Sequence, residues 1–492
     1  MPLSVYKISS SYGNRNATRR CIFFLTKRYY HQQQQQENSV HVQKSSGFNP
    51  FNDHKVYLDQ VKNYINRLNP YQGIDLRAAQ LNWDHILDPQ YENTIAENIF
   101  VRKADANILH VHNLHKEIQS LIHRVEEKKL DPTQGEDQIK LKIQDLYNQA
   151  MKLPNQAHPD SPIGRETEAR VIREVGEKSE LSLSQRSIDE IGTDFDTLLL
   201  ENMGQISFRG AYVLFNDFAR LERALMYYAF QKLTNYGFKM VSVPDIIHRG
   251  IIESCGFPTQ GKRTQVYQLD YGEEFGRYCL AGTSEMALAG LLKHNTFRKD
   301  ELPLKLAACS RCYRAEVAGG KSEGSLYRVH EFTKVEMFCV TSDEPGVSDK
   351  MLEDIVNIQT DLFSELGLHF RILDMPTEEL GLSAYRKHDI EAWMPAKQFY
   401  GEISSASNCS DFQSRRLHIK YIDDNTEERF AHTLNGTAMA IPRVMTALIE
   451  TNWKPNGEQV YIPKPLQQVM GNREYITRST RTPKTHWIKT FN

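Results

Sequence analysis

The sequence has no uninterrupted apolar run of about 18 residues, so it offers no segment of the length and hydropathy that a membrane-spanning helix needs. It has little cysteine, seven in 492 residues at irregular spacing, which argues against a disulfide framework and suits a reducing compartment. It has no excess of charge of one sign: the net charge is −2, so contact with a nucleic acid has to rest on local basic patches. Several cofactor signatures are also missing. No glycine fingerprint for a dinucleotide occurs. Gly319-Gly320-Lys321-Ser322 looks like the end of a P-loop, but Ala315 stands where its first glycine belongs. His330-Glu331 opens a zinc-protease pattern that fails at Lys334. Cys309 and Cys312 have the spacing of a metal or redox pair, yet no second pair accompanies them. In a predicted strand they read as two buried thiols, and neither a tightly bound zinc nor an organic cofactor is expected.

What is present is a globular composition, 40% hydrophobic and 25% charged, with room for two or three domains. Residues 1–36 carry six basic side chains (Lys7, Arg15, Arg19, Arg20, Lys27 and Arg28) and no acidic one. A cationic segment with serines, aromatics and a short apolar patch has the character of a mitochondrial targeting segment, against the rival of a basic tail that touches RNA. The glutamine run at 32–36 is low-complexity.

Between 48 and 93 the pattern supports only short helical turns. A long helical pattern then develops, with Val111, Leu114, Ile118, Leu121 and Val125 at alternating spacings of three and four. Asp131-Pro132-Thr133-Gln134-Gly135 breaks it, and a second seam follows at Ile139, Ile143, Leu146, Ala150 and Leu153. Two narrow stripes joined by a short turn predict an antiparallel helical hairpin. Its outer faces are expected to carry His112, His115, Lys116, His123, Arg124, Lys128, Lys129, Lys140 and Lys142, as a solvated surface or as a phosphate-binding one.

The most informative stretch is 309–338, two β-compatible runs around a loop of small and polar residues. Arg314 and Glu316 are one period-two step apart, and Arg328, Phe332, Lys334 and Glu336 share one parity. Two arginines, two glutamates, a lysine and a ring on one face suit a site for a phosphate, a flat ring and an ammonium group. A solvent-facing hairpin of alternating charge is the plain alternative. Upstream, the pattern predicts a helix over 213–236 stopped by Gly237 and a strand over 238–243 ending at Pro244. Thr283, in Leu280-Ala281-Gly282-Thr283-Ser284-Glu285, is placed to cap a helix. Downstream, a helix is predicted over 352–366 and strands over 369–374, 385–393, 401–405 and 430–439. Pro442 then opens a helix that places Arg443 among exposed N–H groups. Strands and helices in this irregular order predict an α+β arrangement rather than a doubly wound sheet.

Tyr313-Arg314-Ala315-Glu316 and Leu326-Tyr327-Arg328-Val329-His330-Glu331-Phe332-Thr333-Lys334-Val335-Glu336 resemble motif 2 of the class II aminoacyl-tRNA synthetases, and specifically of the seryl-tRNA synthetases. The helix, strand and proline at 213–244 resemble motif 1, and the Pro442-Arg443 helix resembles motif 3. The resemblance covers roughly 90–470 and implies a class II synthetase-like antiparallel sheet flanked by helices, preceded by the hairpin as a tRNA-gripping coiled-coil arm. The implied division is a targeting segment at 1–36, a tRNA-binding domain at 48–160, a catalytic domain at 185–471 and a basic tail at 472–492.

The same resemblance implies a serine–tRNA ligase that uses ATP and L-serine to charge a mitochondrial serine tRNA, acting as a homodimer in the mitochondrial matrix with no membrane contact. Serine would be held by Thr283, Glu285, Arg314, Glu336, Asn435 and Thr437. ATP would be held by Arg314, Glu316, Arg328, Phe332, Glu402, Ser405 and Arg443. Arg314 and Arg443 would be the catalytic groups, and Glu402 and Ser405 would hold the Mg²⁺ on ATP. A synthetase-like paralogue without catalysis, serving as a regulatory or heterodimer partner, is the alternative. One departure stands out: the family often has glycine where this chain has Ser325, and serine tolerates positive φ poorly, so the motif 2 loop is expected to differ in shape.

Overall fold

A computed structural model describes residues 54–478, apart from 72, 179–184, 202, 208–209, 262–263, 271–276 and 316–324. The expected targeting segment, Glu316 and the end of the basic tail therefore lie outside the described residues. The described chain forms two units, one of 54–62 with 84–153, the other of 63–83 with 154–478.

In the first unit, α1 (Ile108–Glu126) and α2 (Pro132–Ala150) form the expected hairpin. The Asn107 side chain accepts from the His110 N–H, and Asp131 accepts from Thr133 and Gln134, so each helix begins on a polar cap. Pro132 occupies the first turn of α2, where its missing N–H costs nothing. Val111, Leu114, Ile118 and Ile122 are buried, as are Ile139, Ile143, Leu146 and Ala150. Two expectations need correction. His112 and His115 are not on an outer face; both are 3% exposed. His112 bonds the Glu92 carboxylate through Nδ1 at 2.7 Å and the Ile86 carbonyl through Nε2 at 2.8 Å. The apolar stripe of α1 is also wider than a two-helix seam, because Tyr57 covers a further side and reaches His123 and Glu126 at 3.3 Å. Ile122 accordingly takes the core place given to Leu121 and Val125, which stay half-buried.

The second unit is built on an eight-stranded sheet. Its strands in chain order are β1 (Arg170–Val175), β2 (Lys239–Val241), β3 (Leu304–Tyr313), β4 (Glu331–Thr341), β5 (Phe370–Asp374), β6 (Arg386–Met394), β7 (Phe399–Asn408) and β8 (His432–Ala440). Across the sheet they run β1-β5-β6-β7-β8-β4-β3-β2, antiparallel throughout except for the β2–β3 pair. The sheet thus begins upstream of residue 185. Among the helices that flank it are α3 (Asn216–Asn235), α4 (Arg249–Ser254), α5 (Ser284–Leu291), α6 (Val347–Glu365), α7 (Phe412–Leu417) and α8 (Ile441–Thr451).

Alternation along β4 shows how the faces divide. Val335, Met337 and Cys339 join one apolar cluster with Leu221 of α3, Ile355 of α6 and Met445 of α8. Phe338 and Val340 join another with Ile251 of α4, Leu288 of α5 and Leu417 of α7. Gly237, at φ +82°, ends α3 and lets the chain turn directly into β2. Part of the expected basic tail is folded: residues 475–477 pair with Gln459–Tyr461, and Arg473 forms a two-pronged ion pair with Asp217 at 2.6 and 2.8 Å. Of the two thiols, Cys312 is buried but Cys309 only partly so.

Ile118 has no exposed surface, so Ile118→Ala is expected to destabilise the first unit by about 2–4 kcal/mol through lost burial and a residual cavity. Hydrogen exchange of the α1 amides would report it, and a loss under about 1 kcal/mol would show that this seam is not the unit's core.

Candidate active site

The polar face of the sheet starts at α5. Thr283 is its N-cap, and the Thr283 hydroxyl accepts from the Glu285 N–H at 3.3 Å. Glu285, in the first turn, is 4% exposed, and its Oε1 accepts from Gln413 Nε2 at 2.6 Å and from Asn435 Nδ2 at 2.9 Å. The Gln413 amide is oriented by Thr433, whose hydroxyl donates to its Oε1 at 2.8 Å. From β4, Lys334 and Glu336 project to the same side and form a buried ion pair. Lys334 Nζ also donates to the hydroxyls of Thr283 at 2.8 Å and Thr437 at 3.4 Å. Thr437, opposite Glu336 in the β4–β8 register, donates to Glu336 Oε2 at 3.2 Å. Five of the residues expected around serine, Thr283, Glu285, Glu336, Asn435 and Thr437, thus share one hydrogen-bonded set.

Two carboxylates and one ammonium make this set one negative charge in excess when all are ionised. Burial first, then the charge of Glu336, pushes the Glu285 carboxyl up to about 7, against the pull of Gln413, Lys334 and Arg314. A small ligand bearing both an ammonium and a hydroxyl supplies what the pocket lacks.

Further along the face lies a cationic region. Arg314 stands just past the end of β3, its guanidinium carbon 5.2 Å from the centre of the Phe332 ring. Arg443, in the first turn of α8 behind Pro442, donates through Nη1 to Glu402 Oε2 at 2.9 Å and to the Glu402 carbonyl at 3.2 Å. Burial would raise the Glu402 carboxyl, but Arg443, Lys387 and Arg314 outweigh it and hold it at about 2, so it is ionised. Ser405 lies on β7 with Glu402, partly exposed. Among the described residues no group of three or more His, Cys, Asp or Glu side chains is arranged to hold a metal. The ionised Glu402 carboxylate and the Ser405 hydroxyl are oxygen donors of the kind that could hold a hard cation.

Arg328 departs from its expected place. Parity along a strand does not apply to it, because β4 begins only at Glu331; Arg328 is exposed in the preceding turn, its N–H bonded to the Ser325 carbonyl at 3.3 Å. The motif 2 loop expected to differ in shape, residues 316–324, lies outside the described residues.

Residues 267–452 match the tRNA synthetase class II core domain (G, H, P, S and T). The chain is 45% identical over 338 residues to the mitochondrial serine–tRNA ligase of Mus musculus, a match that spans 69% of this chain and 65% of that protein. It is 39% identical over 366 residues to the mitochondrial serine–tRNA ligase of Saccharomyces cerevisiae, spanning 73% of this chain and 80% of the yeast protein. The chain belongs to the serine–tRNA ligase family.

Solved structures agree on the fold. The cytoplasmic serine–tRNA ligase of Naegleria fowleri, in complex with AMP, superposes with a TM-score of 0.70 at 24% identity, over 80% of this chain and 98% of that one. The seryl-tRNA synthetase of Pyrococcus horikoshii, complexed with ATP, gives 0.63 at 25% identity, over 87% and 99%. Two residues of the pocket were not assigned from the family pattern. Lys334 alternates with Phe332 and Glu336 in the sequence, and a lysine one period-two step from a glutamate on a strand is a readable signal for an ion pair. Gln413 lies in a stretch whose sequence shows no periodicity, and only the packing of α7, on which it sits, brings it to Glu285.

Glu285 carries a pH dependence whose sign follows from its shift. The folded protein holds the proton up to about 7, whereas the ordinary carboxyl value is 4.5. The stability contributed by the protonated group is therefore present below 4.5 and lost as pH rises through about 7. Glu285→Gln, which cannot ionise, is expected to be stabilised relative to wild type at pH 8 more than at pH 5. Denaturant melts of both at the two pH values would check this; a constant difference between them would remove Glu285 as the source.

Proposed function

We propose that this chain is a mitochondrial serine–tRNA ligase that activates L-serine with ATP and transfers it to the 3′ end of a serine tRNA. The observation that carries the reading is the closed set around Glu285, Glu336, Lys334, Asn435 and Thr437, beside the cationic region of Arg314 and Arg443. In the first step an oxygen of the serine carboxylate attacks the α-phosphorus of ATP. The bond to the bridging oxygen breaks, leaving seryl-adenylate and pyrophosphate. The attacking carboxylate needs no general base, so positioning and charge stabilisation dominate. In the second step a hydroxyl of the terminal ribose attacks the acyl carbon, and AMP leaves.

Glu285 receives the serine ammonium, while Glu336 and Thr437 meet the serine hydroxyl, with Thr283 and Asn435 completing the shell. Arg314 bridges the serine carboxylate and the α-phosphate, and Phe332 stacks on the adenine, whose amino edge is assigned to Glu316. Arg328 and Arg443 take the outer phosphates. Glu402 and Ser405 would hold Mg²⁺, which neutralises phosphate charge when bound. Alanine leaves the buried partners of the hydroxyl unpaired, a loss that supports discrimination of about 10⁴-fold without a separate editing site.

The basic faces of α1 and α2 would meet tRNA phosphates. The cationic character of 1–36 and the mitochondrial relatives support import, with the matrix as destination. A homodimer is supported by α3 and β2, where Tyr227 and Met240 are 51% and 59% exposed beside a cavity of about 570 Å³ lined also by Phe230 and Gln231. No observation favours a paralogue without catalysis.

Serine-dependent ATP–pyrophosphate exchange tests the activity directly. Exchange is expected with serine but not with alanine, glycine or threonine, and Arg314→Ala is expected to lower it by at least about a hundredfold. A folded protein that exchanges with none of these amino acids would overturn the reading. For the dimer, Met240→Asp is expected to yield monomer in sedimentation, by placing a charge in an apolar contact. An unchanged dimer would place the interface elsewhere.

A further inference from the structure

Tyr327 is half-buried beside Glu402 and Arg443, yet none of the roles above uses it. Its neighbour Arg328 is exposed, whereas Tyr327 turns inward. The Tyr327 hydroxyl donates to the Glu402 carbonyl at 3.3 Å. Its ring lies against the Arg443 guanidinium, 5.0 Å from ring centre to guanidinium carbon, and meets Phe399 edge-on at 5.5 Å. Arg443 donates to the same carbonyl at 3.2 Å and to the Glu402 carboxylate at 2.9 Å. The turn before β4, strand β7 and helix α8 therefore converge on one peptide group. The neighbouring glycine is part of the arrangement. A Cβ added to Gly401 would stand 2.8 Å from the Tyr327 hydroxyl oxygen and 2.9 Å from a ring carbon, so the ring seats only because residue 401 has no side chain.

We propose that Tyr327 is a positioning residue for ATP binding, one that locks Glu402 and Arg443 in the arrangement that receives the phosphates. Arginine loses much rotamer freedom when it orders on a ligand, and a ring beneath the guanidinium together with a fixed carbonyl removes part of that cost beforehand. A hydrogen bond to the Glu402 carbonyl also fixes the peptide plane from which the Glu402 side chain projects. The role is confined to the phosphate side, because the hydrogen bond and ring contacts of Tyr327 go to Glu402, Arg443 and Phe399, none of which belongs to the Glu285–Asn435–Glu336 set. The proposal rests on the assignment of this region to ATP, and its test separates the two.

The experiment uses the full chain with Tyr327→Phe, Tyr327→Leu, Gly401→Ala and the Gly401→Ala/Tyr327→Leu double variant. ATP affinity is measured by calorimetry with and without Mg²⁺, and KM for ATP and for serine by pyrophosphate exchange. Tyr327→Phe is expected to weaken ATP binding about three- to tenfold through the lost hydrogen bond, and Tyr327→Leu by more than about tenfold, with the KM for serine within twofold of wild type. Gly401→Ala is expected to match Tyr327→Leu, and the double variant to be no worse than Tyr327→Leu, because the added methyl then has no ring to displace and its other close neighbour, Met394 Cε at 3.0 Å, is the far end of a flexible side chain. Tyr327→Phe keeps the shape of the core, so it reports even if the leucine variant fails to fold. ATP affinity within twofold of wild type, equal shifts in both KM values, or additive Gly401 and Tyr327 effects would each overturn the proposal. A wild type that binds ATP without serine-dependent exchange would refute the ligase reading and leave the affinities to judge Tyr327. A wild type that does not bind ATP would refute both.

Discussion

The buried ion pair between Lys334 and Glu336 is what the candidate site is arranged around. Both residues sit on β4, in the interior of an eight-stranded sheet, at 5% and 2% exposure. Taking two charges out of water costs several kcal/mol for each, and the loss is recovered only where geometry and further hydrogen bonds are good. Here the hydroxyls of Thr283 and Thr437 supply those bonds, and each belongs to a different element. The pair therefore ties the start of α5 and strand β8 to β4. It also engages Lys334 with Glu336, so the pull of Lys334 on Glu285 does not offset burial and the repulsion from Glu336.

Register carries this arrangement. A slip of one residue between β4 and β8 would turn Thr437 away from Glu336 and expose the opposite parity. The ladder is irregular at two places beside the site: between Thr437 and Met439 on β8, and between Ile390 and Glu391 on β6, where Glu391 faces Glu402. Irregularities of this kind re-aim side chains without ending the strand pairing, and they leave the apolar face intact. The two faces of the sheet thus differ in task. One packs against α3, α6 and α8, and the other gives up part of its packing to charged groups.

Much of the second unit was legible because its signals are local. Period-two alternation located β4 and put Phe332, Lys334 and Glu336 on one side, Gly237 marked the end of α3, and Pro442 marked the start of α8. The hairpin was legible for the same reason, from two apolar seams and the Asp131-Pro132 break. The misreadings have separate physical origins. His112 and His115 look like surface residues by type, but both are buried, and Glu92 and Ile86 satisfy His112. Arg328 shares parity with β4 residues but precedes the strand, so parity does not govern where it points.

By itself the sequence determined the element types, the order of the motifs and the identity of the charged groups, since helix periodicity, strand alternation and turn chemistry act over a few neighbouring residues. Only the tertiary structure decided which of those groups meet. Gln413 and Asn435 converge on Glu285 from a distant helix and strand, and Tyr327 reaches Glu402 and Arg443 across three segments. Such contacts depend on strand register, on a glycine at 401 that admits a ring, and on the cost of leaving buried polar groups unpaired. None of these is a property of the chain until it is packed.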